Sequence, residues 1–424
     1  MYEKVVLPSG LRVMLVPMRD VRSVTCTVFV GAGSRYEKQE ISGMSHFLEH
    51  MFFKGTTRRP SALAISEEVD AIGGEFNAGT SKEYTIFYIK ARSEHLSLCV
   101  DVLSDMIQNA LFSAEELERE KGVILEELKM YEDMPMRDIG EIFEQTMWGD
   151  QPLGWKTVGN KKSIKATTRE SMVGYKESLY TLDNIIVGLA GDFEPKAALK
   201  AIEQSLEDLP AARTTSYLPV AESQKAPIFN FVSKETEQAH LCLGARGFDK
   251  TDKDRYVAKV MNVILGGNMS SRLFIAVRER QGLCYYIHSS VGSYHDTGEF
   301  DIQAGVDTTR IPQAVEAIIR EVRTIRDEKV TAKELHKAKE YIKGKTVLSL
   351  EDSSDVIQYY GMQELLDGQV LTLDEKFRLI DQVTADDIQK YAARLFTDDR
   401  LNCALIAPPS AVNLEQLNKL LHYA

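Results

Sequence analysis

His46-Phe47-Leu48-Glu49-His50 puts two imidazoles and a carboxylate into five consecutive residues. Residues four apart on a helix lie one above the other, so a helical reading lets His46 and His50 grip one metal ion. The intervening Glu49 is then placed to take a proton from metal-bound water, the inverzincin arrangement of a zinc hydrolase. The neighbouring residues support the helix. Met44, Phe47, Leu48, Met51 and Phe52 fall at i, i+3, i+4, i+7 and i+8, one apolar stripe opposite His46, Glu49 and His50. Ser42 is the expected N-cap, and Lys54 with Gly55 closes a helix of about three turns.

Catalytic zinc usually takes three protein ligands and leaves one position for water, so a third ligand is sought elsewhere in the chain. The stretch from Ser113 to Met134 offers it: Ser113 and Glu116 form a capping box, and Pro135 marks the far end of about five helical turns. Glu120 and Glu127 stand two turns apart on one face, with Val123, Ile124 and Tyr131 beside them. Carboxylates drawn against apolar surface need a cation or a proton. Glu126 points about 100° away and pairs with Lys129, so Glu127 is the expected ligand and Glu120 the carboxylate that orients a ligand from behind.

These motifs resemble the M16 metallopeptidases, the pitrilysin family, in its branch of bacterial processing-peptidase-like subunits. His46 to His50 match the zinc motif, and Glu118-Arg119-Glu120-Lys121-Gly122-Val123-Ile124-Leu125-Glu126-Glu127 matches the segment carrying the distal glutamate. The likeness continues through Leu7-Pro8-Ser9-Gly10-Leu11-Arg12-Val13, Phe76-Asn77-Ala78, Gln151-Pro152-Leu153-Gly154 and Gly191-Asp192-Phe193, and so covers essentially the whole chain. It implies one Zn2+ per subunit held by His46, His50 and Glu127, with Glu49 as general base. It also implies that Arg278 and Tyr285, following Gly266-Gly267-Asn268-Met269-Ser270-Ser271-Arg272-Leu273-Phe274, hydrogen-bond the substrate carbonyl. A guanidinium and a phenol suit an oxyanion. Peptide substrate is expected to lie as an added strand beside Phe76, Asn77 and Ala78.

In the family, the zinc site and the arginine-tyrosine pair belong to the first and last of four domains, whereas this chain has length for two. The resemblance therefore implies a homodimer in which Arg278 and Tyr285 of one subunit complete the site of the other and close a chamber around short or unfolded peptides. Processing-type relatives read a substrate arginine with acidic residues beyond the distal glutamate. Here Arg137 stands among Asp133, Asp138 and Glu141, which argues against strict presequence specificity. The long glycine-rich loop of noncatalytic processing subunits is absent. Two other readings remain: a noncatalytic scaffold subunit of the same fold, and the catalytic half of an obligate heterodimer.

The 424 residues, 44% hydrophobic, exceed what one core usually supports. A net charge of −12 argues against a nucleic-acid partner. No apolar run is long enough for a membrane span and no signal-like segment is read, so no membrane partner and a cytoplasmic location are expected. The five cysteines, Cys26, Cys99, Cys242, Cys284 and Cys403, are odd in number and lack metal-type spacing, which fits a reducing compartment.

Strand and helix signals then predict an α+β fold of two similar domains, each a largely antiparallel sheet with helices on one face, and the resemblance implies the same architecture, the LuxS/MPP-like metallohydrolase fold. The expected boundaries are 1–213 for the zinc-binding domain, 214–225 for the linker and 226–424 for the domain with the Arg/Tyr pair. Strands are predicted around Pro8-Ser9-Gly10, at 24–30, 84–90, 228–232, 240–245, 300–306 and 401–405. Gly74-Glu75-Phe76-Asn77 and Gly298-Glu299-Phe300-Asp301 read as an internal echo of a duplication.

Overall fold

The computed structural model describes residues 2–206 and 209–423. They form two compact units of α+β architecture. The first comprises residues 1–129, 155–218 and 347–370, and the second 130–154, 219–346 and 371–424.

The first unit is built on a six-stranded sheet. Its strands are β1 (Glu3–Val6), β2 (Arg12–Pro17), β3 (Ser23–Val30), β4 (Glu75–Thr80), β5 (Thr85–Arg92) and β6 (Ile185–Gly191), in spatial order β1-β2-β6-β3-β5-β4. Only β2 and β6 pair in parallel. One face, with Val24, Cys26 and Val28 of β3 and Phe87 and Ile89 of β5, carries the motif helix Met44–Phe52 and the helices Leu96–Asn109 and Pro195–Ser205. Phe52 meets Phe87 edge-on at 5.2 Å, which ties the motif helix to the sheet. Burying each such aromatic is worth about 1.5–3 kcal/mol.

The opposite face is covered too, by one helix, Ser353–Asp367, from the far end of the chain. Met14, Val16, Phe29, Ile186 and Ala190 pack there against Val356 and Ile357. The expected single helical layer is present, and this helix is an addition to it. A sheet covered on one side alternates buried and solvated residues, whereas a strand covered on both sides is buried throughout. All seven residues of β6 are buried, while β5, nearer the edge, alternates.

The second unit repeats the plan with five strands: β7 (Ile228–Ser233), β8 (Gln238–Gly247), β9 (Cys284–Ser293), β10 (Gly298–Asp307) and β11 (Leu401–Ala407), in order β7-β11-β8-β10-β9. The parallel pair is now β7 and β11. Leu241, Leu243, Phe300, Ile302 and Leu405 face the helices Arg255–Leu265, Ile311–Asp327 and Ala385–Leu395. Cys242, Ala404 and Ile406 on the other face take Ile139, Ile142 and Phe143 of helix Pro135–Trp148. Each unit thus receives one helix from the opposite half of the sequence. Residues 214–225 carry no helix or strand.

The order β2-β6-β3-β5-β4 maps strand for strand onto β7-β11-β8-β10-β9, so β4 corresponds to β9 and β5 to β10. The tetrapeptide echo is therefore out of register: Glu75 opens an edge strand, whereas Glu299 lies in the strand next to the edge. The duplication is visible in topology and not in that local match. Among the described residues no helix is long and apolar enough to cross a membrane.

Helix Ser353–Asp367 approaches its sheet closely through glycines on both sides. A Cβ on Gly361 would stand 2.4 Å from the Phe29 ring, and one on Gly188 would stand 2.5 Å from Ile357. Gly361→Ala should therefore destabilise the protein by about 1–3 kcal/mol through overpacking, read as a lower urea midpoint; an unchanged midpoint would contradict this packing.

Candidate metal centre

The motif helix runs from Met44 to Phe52, nine residues, slightly shorter than the expected three turns. Met44, Phe47, Leu48, Met51 and Phe52 are all buried, as the stripe predicts. Ser42 is not its cap: the N-cap is Gly43, left-handed at φ 90°, and no side chain of its own caps the helix. The Ser42 carbonyl instead accepts from the Ser163 hydroxyl at 2.6 Å.

The distal helix spans Ala114–Glu132, and the Ser113 hydroxyl accepts from the Glu116 amide at 3.3 Å. Its inward face carries Leu117, Glu120, Ile124 and Leu128. Val123 is exposed, contrary to expectation, because it sits on the flank of that stripe and not within it. Glu126 turns outward and pairs with Lys129 at 2.7 Å, leaving Glu127 to face the motif helix.

Oε2 of Glu127 lies 3.7 Å from Nε2 of His46 and 3.5 Å from Nε2 of His50, and one donor atom from each residue falls within 4.8 Å of the others. Ligands at about 2.0–2.2 Å from a tetrahedral zinc stand about 3.3–3.5 Å apart, so two imidazole nitrogens and a carboxylate at this spacing fit a zinc ion. No other such group of three or more His, Cys, Asp or Glu residues occurs among the described residues.

Two sequence models match the chain. Residues 12–161 match the model described as insulinase (peptidase family M16), and residues 166–342 match the one described as peptidase M16 inactive domain. The chain belongs to the M16 peptidase family. Among M16 relatives, a Bacillus subtilis protein named as an uncharacterized zinc protease is 38% identical over 96% of this chain and 98% of its own length. A Streptomyces coelicolor protein with the same description is 34% identical over 91% of this chain and 85% of its own length. A crystal structure of a protease from Helicobacter pylori shares the fold, with a TM-score of 0.89 at 23% identity over 96% of this chain and 99% of that one.

Behind His46, His50 and Glu127 stands Glu120, only 2% exposed. It receives Nδ1 of His50 at 2.8 Å and Nζ of Lys54 at 2.6 Å. This fixes the His50 tautomer with its proton on Nδ1, so that Nε2 faces Glu127 as an acceptor. Nδ1 of His46 is buried without a hydrogen-bond partner among the described residues, so the two imidazoles are supported unequally.

Burial, then the neighbouring charge of His50, lowers the His46 pKa to about 4 against the opposing carboxylates of Glu127 and Glu120. Burial also acts to lower His50, but the Glu120 hydrogen bond and the charges of Glu127, Glu120 and Glu49 outweigh it and its pKa is raised. Glu49 is raised chiefly by burial. Its Oε2 accepts from the hydroxyl of Thr80 at the end of β4. Thr80 was not legible from the sequence, since it lies 31 positions after Glu49, beyond the helix Ala62–Asp70.

Phe76, Asn77 and Ala78 lie on β4, the outermost strand, which pairs only with β5. Asn77 is exposed and Phe76 stacks against Phe53 at 5.7 Å. The other two expected residues belong to the second unit. Arg278 sits in a π-helical turn, Phe274–Glu279, with its guanidinium over the Phe274 ring at 4.6 Å. Tyr285 on edge strand β9 is 71% exposed. Such turns often mark functional positions. Arg137 is exposed, over the Tyr131 ring at 5.3 Å.

Imidazoles bind metal only when neutral, so protons compete. His46 stays neutral down to about pH 4, and His50 protonates below its raised pKa. Zinc affinity should thus rise by about tenfold per pH unit from pH 5 up to the pKa of His50 and level off above it. Glu120→Gln should move that bend to lower pH and weaken binding about 10–100-fold, measured against a chromophoric chelator; an affinity independent of pH would contradict the scheme.

Proposed function

We propose that this chain is a zinc-dependent endopeptidase acting on short or unfolded peptides, with one Zn2+ per subunit held by His46, His50 and Glu127. The observation that carries this reading is the coincidence of a three-residue metal-type site with a separate carboxylate, Glu49, on the helix that carries His46 and His50. The names of the relatives support the choice of zinc. A zinc ion in such a site supplies Lewis acidity, making water a nucleophile near neutral pH and polarising a carbonyl.

The chain's own residues have distinct tasks in this reading. Thr80 holds Oε2 of Glu49, leaving Oε1 to take the proton of the attacking water and then deliver it to the departing amine nitrogen. The burial that raises the pKa of Glu49 makes it a stronger base than a solvated carboxylate, and a nearby divalent cation restrains that shift. Glu120 keeps His50 turned so that its Nε2 stays an acceptor. An extended peptide can add main-chain hydrogen bonds along the outer edge of β4, at Phe76, Asn77 and Ala78, with little dependence on side chains.

Arg278 and Tyr285 are assigned to the carbonyl oxygen, delivered by a second copy of the chain in a homodimer. The exposure of Tyr285 supports a role toward something outside its own unit. The description of residues 166–342 as an inactive domain fits a half without ligands, and it keeps a noncatalytic scaffold as the second reading.

Mixing Glu49→Gln with Tyr285→Phe tests both points. Each homodimer should retain zinc and lose most peptide hydrolysis, whereas mixed dimers should regain activity at one site. Mixed dimers without recovery would remove the shared site, and a parent protein without zinc or hydrolysis would favour the scaffold.

A further inference from the structure

The motif helix has nine residues, too few to hold its shape or rotation unaided. Its first amides must find partners, and no residue at its start supplies one. The partner comes from six residues upstream. Glu37 is 2% exposed, and its two carboxylate oxygens divide the work: Oε2 accepts from the Gly43 amide at 2.6 Å and Oε1 from the Ser45 amide at 2.7 Å. Ser45 immediately precedes His46. Burial pushes the Glu37 pKa up to about 8 against these bonds and the charge of Lys82, so the carboxylate is kept in an unfavourable place by its helix contacts.

The surroundings admit little adjustment. A Cβ on Gly43 would stand 2.5 Å from the Val158 carbonyl oxygen. The Ser45 hydroxyl meets the Tyr175 hydroxyl at 2.7 Å, and the latter donates to the Gly33 carbonyl at 3.2 Å. The segment carrying Glu37 is in turn bound to the β4–β5 turn: the amides of Ser34 and Arg35 donate to the carbonyls of Ser81 and Lys82, and Arg35 pairs with Glu83 at 2.6 Å in the interior. That turn begins one residue after Thr80, the partner of Glu49.

We infer that Glu37 is a positioning residue of the metal centre: by gripping the first turn from outside the helix, it sets the helix rotation that aims His46 and His50 at Glu127. The inference rests on the zinc reading above. Glu37, from the segment bound to that turn, then holds the motif helix at its start, and Thr80, the residue before the turn, holds Glu49.

Glu37→Gln in the full chain is the test, because an amide keeps the shape but turns one acceptor into a donor facing a backbone N–H. Far-UV circular dichroism should match the parent, while zinc affinity, measured by chelator competition on protein stripped of metal, falls about tenfold or more. In hydrolysis kcat should fall with KM little changed. Should that variant fold poorly, Glu37→Asp keeps the carboxyl group but is too short to reach both amides, and it should show the same loss of affinity. Zinc affinity within about twofold of the parent in a folded variant would overturn the inference, and loss of fold in both would assign Glu37 to folding alone. A parent that binds no zinc would instead overturn the zinc reading.

Discussion

Rotation of one short helix about its axis is the constraint on which the rest of this structure depends. A helix presents residues in a fixed angular sequence, so the stripe of Met44, Phe47, Leu48, Met51 and Phe52 cannot be buried without also choosing where His46, Glu49 and His50 point. The hydrophobic core therefore acts on the chemistry directly. Phe52 against Phe87 fixes the apolar side, and the opposite side is left with two imidazoles and a carboxylate in one fixed order.

The same rule explains which parts of the site can be read from the chain. His46, His50 and Glu127 are legible because each lies on a periodic helix, where spacing dictates direction; the outward pairing of Glu126 with Lys129 follows from the same geometry. Glu37 and Thr80 are not legible, since their partners come from other elements and no local period relates them. Ser42 is not the cap for a related reason: a carboxylate six residues before the N-cap Gly43 accepts from the first amides in its place. In the fold, β3, β5, β8, β10 and β11 announce themselves as short apolar runs. Strand β6, an apolar run as fully buried as β11, and edge strand β9 are not among the expected strands, the second because its residues read as a motif. The helix Ser353–Asp367 gives no sign in its sequence of which sheet it covers.

Electrostatics in the centre follow from this division between held and unheld groups. Glu120 is buried yet its pKa is lowered, because although burial acts to raise it, the hydrogen bonds from His50 and Lys54 prevail. Glu49, held by one neutral hydroxyl, goes the other way. Two glutamates in one small region are thus given opposite tendencies by their partners, one toward a permanent charge that orients an imidazole and the other toward exchange of a proton.

The exchange of helices between the two halves bears on how the chain is made. As it leaves the ribosome, the N-terminal sheet can assemble once β6 has emerged, but the apolar face with Met14, Phe29 and Ile186 stays bare for some 160 further residues, until Val356 and Ile357 arrive. Over that interval the nascent chain carries a sticky surface that its own sequence will cover only near the end of synthesis. The two halves cannot mature as independent beads on a string, and a chaperone able to shield a flat apolar sheet has a defined window in which to act.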